Sequence, residues 1–272
     1  MNLASFPLAA RGALATTALL VLGAAGLQAQ PVNAGNSGTL VVPRDRVLNE
    51  SGHYVLNRNL MLGANDVAAG LTISADDVTL DLNGFSVIGP GQMMGVGILV
   101  DGAKGVTIRN GKVGDFHFNI QIQNSMSVTV EGLQIRGQGI LPPAPPPETG
   151  VMIIQSTNVV VRGNSIVNTG LGIFVRGGKS RANRIEGNTV SSNTGGLLGI
   201  CYNPAPDDPM GPRGNLVADN LVSGFNIGIQ MKDVAMNNVV LGNTIAYNMG
   251  GIGLDFRNDT IVEANNVLIE LP

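Results

Sequence analysis

One cysteine, Cys201, stands in a chain of 272 residues, so no intrachain disulfide can form and stability must come from packing and hydrogen bonds. Tryptophan is absent and the two histidines, His53 and His117, are far apart in sequence. A histidine metal centre or a Ser-His-Asp triad therefore has little material to draw on. Charged residues make up only 13% and the net charge is −3, which argues against nucleic acid as a partner. The glycines are numerous but mark turns, and no phosphate-cradling or dinucleotide pattern occurs among them. Beyond residue 27 no apolar run is long enough to span a bilayer, so no membrane span is expected in the mature protein. Apolar stripes of 3.6 period are missing as well, which argues against a helical solenoid.

What is present begins with an export signal. Arg11 gives a positive start, GALATTALLVLGAAGL (12–27) an apolar core, and Gln28-Ala29 a small residue before Gln30. Residues 1–29 are expected to be a signal peptide cleaved near Ala29, which makes the mature protein secreted or periplasmic. Residues 30–46 are polar and Gly/Asn-rich, the composition of a flexible leader.

The central stretch, GVMIIQSTNVVVRGNSIVNTGLGIFVRGGKSRANRIEGNTVSSNT (150–194), writes nearly the same pattern twice. Each copy alternates Val and Ile with polar residues and ends on Gly-Asn-Ser/Thr, which is the period and punctuation of short strands. One landmark tracks the repeat: Asn83, Asn164, Asn188, Asn220, Asn243 and Asn265, with Gly111 and Leu133 filling the same place in two coils. Successive landmarks are 22 to 32 residues apart. Asn tolerates a left-handed backbone, and its amide can bond to the same residue one coil away. A coil of this length cannot bury its apolar face alone, so coils must stack, ~4.8 Å apart. The eight readable coils predict an all-β fold, a right-handed single-stranded parallel β-helix over 47–272.

VTLDLNGFSVIGPG (78–91) resembles the opening coil of secreted bacterial proteins built of right-handed parallel β-helix repeats. That group is placed with the pectin-lyase-like superfamily and with NosD-type periplasmic proteins, and the resemblance runs from about Val47 to Leu271. It implies the fold. Activity stays open, because the group includes polysaccharide lyases, hydrolases, epimerases, binding modules and members without known activity. No catalytic signature of the pectate lyases, polygalacturonases or mannuronan epimerases is present; the Asp-Pro-His-type epimerase motif is missing. The NosD resemblance implies a copper-linked role, but Met93-Met94 and Cys201 are too scattered to support it.

Two proline-rich insertions depart from the repeat, RGQGILPPAPPPE (136–148) and CYNPAPDDPMGPRG (201–214). The first ends just before the strand of Val151 to Ile153; the second begins just after Leu198 to Ile200. They are expected to bracket one sheet from opposite edges, two rungs or ~10 Å apart along the axis. Aligning the inward pair Ile173/Val175 with Leu198/Ile200 puts Leu99, Gln121, Met152, Phe174, Gly199, Gly228 and Gly253 in one outward column. The next column is then Asp101, Gln123, Ile154, Arg176, Cys201, Gln230 and Asp255. The three glycines would leave room for a ligand near the backbone.

An aromatic, a guanidinium, amides and carboxylates along a shallow groove suit an extended sugar chain, uronate-rich ones included. Phe174, Tyr202, Gln123, Gln230 and Asp255 are the candidate polysaccharide-binding residues. Arg176, Lys232, Asp207 and Asp208 are the candidate catalytic residues. A lyase or epimerase needs a base and a cation to hold the developing negative charge, while Asp207/Asp208 could hold Ca²⁺ or serve a hydrolase as acid and base. A non-catalytic carbohydrate-binding or surface-structural module is the alternative, and whether the protein is an enzyme is open. Asp76-Asp77 reads as a polar turn and Phe116-His117-Phe118 as an apolar turn cover. The repeat persists to the last residues, which raises self-association through the solenoid ends as an expectation.

Overall fold

A computed structural model describes residues 39–64, 66, 69–91, 94–139, 147–205, 208, 210–232, 235–257 and 261–271. The expected signal peptide, Met93 and Asp207 lie outside the described residues. Within them the chain forms 23 strands and no helix, so none is long and apolar enough to cross a membrane.

The strands wind into the expected parallel β-helix, and every strand pairing is parallel. Sheet one contains Val96–Asp101, Phe118–Gln123, Thr149–Ile154, Leu171–Arg176 and the later parts of Thr189–Asn203, Leu221–Met231 and Thr244–Phe256. Sheet two contains Val160–Arg162, Arg184–Glu186, Leu216–Ala218 and Val239–Leu241; sheet three contains Ser165–Val167 and the earlier parts of the same long strands. One column of sheet one, Ile98, Ile120, Val151, Ile173 and Ile200, runs down the core with every member fully buried. Short alternating strands cannot do this singly; stacking is what removes each inward row from water. The sheet also reaches into the stretch read as leader, because Thr39–Val41 pairs with His53 to Val55.

The asparagine ladder is present, with its two duties split between neighbouring residues. Asn164, Asn188, Asn220, Asn243 and Asn266 point inward; the backbone N–H and Nδ2 of each of the first four donate to Oδ1 of the next at 2.9–3.0 Å. The left-handed residue is the one before: Gly163, Gly187, Asp219, Gly242 and Asn265, at φ 55–62°. Asn265 is therefore the turn residue and Asn266 the ladder residue. At the other end Leu82, not Asn83, takes the interior place, since a Cβ on Gly111 would lie 2.3 Å from the Leu82 Cβ. A second ladder, Asn183, Asn215 and Asn238, lines another corner, with Ser125, Ser156 and Ser180 bonded in series beside it. Buried corners carry main-chain donors that no strand can satisfy, and these side chains satisfy them.

Candidate polysaccharide-binding face

The outer face of sheet one is set by its register. Met152, Phe174, Cys201, Gln230 and Asp255 follow one another on successive rungs, and Gln123, Ile154, Arg176 and Asn203 form the next column. Lys232 continues that second column, because its N–H bonds to the carbonyl of Tyr202. The alignment expected from sequence slips by two residues at one step: Ile173 faces Ile200 and Val175 faces Tyr202, so Cys201 lies beside Phe174 and not beside Arg176.

Two corrections follow. Tyr202 is fully buried, its hydroxyl has no partner, and it fills the core between Val175 and Met231; it is not a surface sugar contact. The glycines do not open the face. A Cβ on Gly253 would meet the Leu268 and Tyr247 side chains at 3.0–3.2 Å, and one on Gly199 or Gly228 a methyl of Val222 or Ile245 at 2.2–2.3 Å. Those β-branched side chains come from sheet three, so the glycines are where two walls of the solenoid press together.

What lies on the face is apolar at one side and cationic at the other. Met152, Leu171, Phe174 and Cys201 form a second apolar cluster outside the main core, with Phe118, Ile154, Leu197 and Leu198 packed against it. The Arg176 guanidinium sits over the Phe174 ring, 5.2 Å from its centroid. Its Nε is buried without a hydrogen-bond partner, and so is Oδ1 of Asn203 on the adjacent rung. A donor and an acceptor left unpaired side by side are costly unless something else bonds to them. Gln121 Nε2 donates to Gln123 Oε1 at 2.7 Å, and Gln230 Nε2 to Asp255 Oδ2 at 2.7 Å. Burial works against the Asp255 charge, but donors from Arg257 and Gln230 and the nearby Arg257 and Lys232 charges outweigh it and hold the carboxyl below its ordinary range.

Asp208 is tied into the second insertion. Its Oδ2 accepts from Gln155 Nε2 and the Gly178 N–H and its Oδ1 from the Met210 N–H, at 2.9–3.0 Å, and the Gln155 bond foremost keeps it ionised. A carboxylate so occupied pins a loop and is poorly placed as an acid, a base or a Ca²⁺ ligand. Glu148, at the end of the first insertion, is a residue that sequence reasoning missed. Only 1% exposed, it accepts the Gln138 N–H at 2.6 Å through Oε2, and Oε1 is buried without a partner. Burial foremost pushes it up to about 7. Two concavities lie away from this face, one of about 580 Å³ beside Val42, Arg44 and Leu56 and one of about 530 Å³ beside Arg109 and Glu131. The first sits at the amino-terminal rung and the second is lined by paired charges, so neither competes as a site.

Three parallel sheets about one core define a parallel β-helix repeat protein. Residues 69–270 match the family described as "Periplasmic copper-binding protein (NosD)", and the chain belongs to that family. Among solved structures it is similar to an alginate lyase from Paenibacillus sp. str. FPU-7, at 16% identity and TM-score 0.52 over 79% of this chain and 88% of that one. It is also similar to the Dettilon tailspike protein, at 15% identity and TM-score 0.47 over 85% of this chain and 54% of that one. A third likeness is to the tailspike of E. coli bacteriophage HK620, solved with a hexasaccharide, at 13% and 0.48 over 86% and 50%. At these identities the likeness is one of fold. No curated protein sequence matches the chain.

The family's description raises copper, and the described residues do not fit it. No three His, Cys, Asp or Glu side chains among them converge to hold a metal ion. Cys201 is fully buried in the outer apolar cluster, and burial pushes its thiol far up. Met152 is two rungs from it, with Phe174 between. A soft-metal centre needs its sulfurs on one ion, and these do not meet.

Proposed function

We propose that the protein binds a polysaccharide along the outer face of sheet one, over Phe174 and Arg176 and between the two proline-rich insertions. The supporting observation is the Arg176–Phe174 stack with its unpaired Nε next to the unpaired Asn203 Oδ1. A sugar ring packs on an aromatic surface, and its hydroxyls or carboxylate would satisfy both atoms at once. Gln123, Gln230 and Asp255 line the same face and supply amide and carboxylate partners for further sugars. The periplasmic description of the family agrees with export by the amino-terminal segment.

Binding takes precedence over catalysis in this assignment. Asp255 is held ionised by its donors and Asp208 accepts three hydrogen bonds, so neither is set up as a proton donor near neutral pH. The test is calorimetry of purified protein with a panel of neutral and acidic polysaccharides, alongside unsaturated-product absorbance and reducing-end release. Binding that disappears in Phe174→Ala, with no product from any polymer, is the expected result. Product formation would move the protein to the lyases, hydrolases or epimerases. Unchanged binding in Phe174→Ala would place the site elsewhere.

A further inference from the structure

Five cations, Arg176, Lys179, Arg181, Arg213 and Lys232, gather on three neighbouring coils, and among the described residues none has a carboxylate within ion-pair distance. The contrast with sheet two is sharp, where Arg109, Arg162 and Arg184 lie against Asp81, Glu131 and Glu186. Arg176 and Lys232 stand in one outward column with Asn203 between them, two rungs or ~10 Å apart. Arg181 and Arg213 occupy the same position on adjacent coils, bridged backbone to backbone, at the corner that leads from sheet one to sheet two. Only a short turn separates the two groups, closed by the Ser180 hydroxyl donating to the Arg176 carbonyl at 2.5 Å. Lys179 sits in that turn and is exposed.

Stacked like charges repel one another, and Asp208 near Lys179 and Asp255 near Lys232 offset these only in part, from beyond ion-pair distance, which leaves Arg176, Arg181 and Arg213 open among the described residues. Their being left open points to a counter-charge brought by a ligand. The polymer's charge density can also be bounded. Double-stranded nucleic acid carries a charge every ~1.7 Å, which suits a broad basic surface. Here the open cations are a rung or two apart, and Asp208 and Asp255 sit among them, so a sparsely charged chain fits better.

We propose that the ligand is an acidic polysaccharide bearing uronate carboxylates, held by Arg176 and Lys232 on the face and by Arg181 and Arg213 as the chain turns over the corner. The proposal rests on sheet one being the binding face. Guanidinium and carboxylate match two-pronged, and the spacing of Arg176 and Lys232 is near the advance of two sugars in an extended chain.

The experiment compares one polyuronate with its carboxyl-reduced, neutral counterpart by calorimetry at several salt concentrations, on wild type, Phe174→Ala and Arg181→Ala/Arg213→Ala. The expected result is at least tenfold tighter binding of the polyuronate, weakening as salt rises. The double variant should lose roughly tenfold for the polyuronate only, with a salt slope smaller by about one to two and an unchanged melting midpoint. Equal affinity for both polymers, lost in Phe174→Ala, would overturn the acidic assignment and leave the binding face standing. No binding of either polymer would remove both. A double variant that binds the polyuronate like wild type would exclude the corner, and equally tight binding of a sulfated polymer or single-stranded DNA would overturn the choice of uronate.

Discussion

The guanidinium carbon of Arg176 lies 5.2 Å over the ring centroid of Phe174, with the Nε beneath it buried and unbonded. A side chain kept for stability would not leave a donor in that state. Replacing Arg176 with Met keeps the packing on the ring and removes the unpaired N–H. The lost cation–π contact is worth about 0.5–1 kcal/mol at such a site, and relieving the unbonded donor returns about 1 kcal/mol or more. Arg176→Met should therefore unfold in urea within about 1 kcal/mol of wild type while losing polysaccharide affinity. A large fall in unfolding free energy would make Arg176 a structural residue.

Gly199 tests the placing of the glycines. Were it on an open groove, Gly199→Ala would disturb ligand binding and little else. A methyl there would instead lie 2.3 Å from Val222 Cγ1 and 2.5 Å from the Gly228 carbonyl oxygen. Overpacking of this kind costs about 1–3 kcal/mol, and backbone on one side leaves little room to relax. The variant should melt well below wild type with or without ligand, and an unaltered melt would show that the two walls do not meet at this point.

Asn188 and Gly187 separate the ladder's two duties. Asn188→Ala removes the acceptor for the Asn164 N–H and Nδ2 and the donor to the Val161 carbonyl and Asn220 Oδ1, all buried. A loss of about 2–4 kcal/mol is expected, since each abandoned buried group costs about 1–3. Gly187 has φ 58° and open space around an added Cβ. Gly187→Asn should be tolerated to within about 1 kcal/mol, as Asn is among the few residues that visit this region routinely, and Gly187→Val should not. Equal losses for Asn188→Ala and Gly187→Asn in denaturant titration would contradict the division.

Period two and recurring Gly-Asn were enough to place the solenoid, because both are local signals that stacking merely repeats. Register across sheet one was not legible, and the reason is particular. In GGLLGICYN (195–203) apolar residues stand at Leu197, Leu198, Ile200, Cys201 and Tyr202, so alternation permits two inward pairs. The core takes Ile200 and Tyr202, a large aromatic that sequence reasoning sends to the surface, and leaves Leu198 opposite Leu171. The same slip hid Asn203 as the neighbour of Arg176, while a break in alternation, with Gly199 and Ile200 both turned to the core, made inward glycines look outward. The corner cations Arg181 and Arg213 could have been found from their matching places in successive coils, but each stands alone in its own turn. Glu148 carried no local signal, since its state is set by burial among residues distant in sequence.

Glu148 makes stability depend on pH. Burial is the main reason its carboxyl is raised from 4.5 to about 7; the Asp115 charge adds to this, while the N–H groups of Gln138 and Gly139 and the Asn119 amide oppose it. The folded protein then holds this proton more tightly than the unfolded chain does. Its contribution is fully present below pH 4.5, declines as pH rises, and is gone above about 7. The loss over that window is on the order of 2 kcal/mol for a carboxyl that local relaxation can partly hydrate. Because Oε2 receives the Gln138 N–H, this is also where the two ends of the first insertion are fastened together. Glu148→Gln keeps an acceptor for that N–H and cannot ionise. Urea midpoints of wild type should fall between pH 5 and 7.5 while those of Glu148→Gln stay nearly level, and parallel curves for the two proteins would show that Glu148 does not titrate in this range.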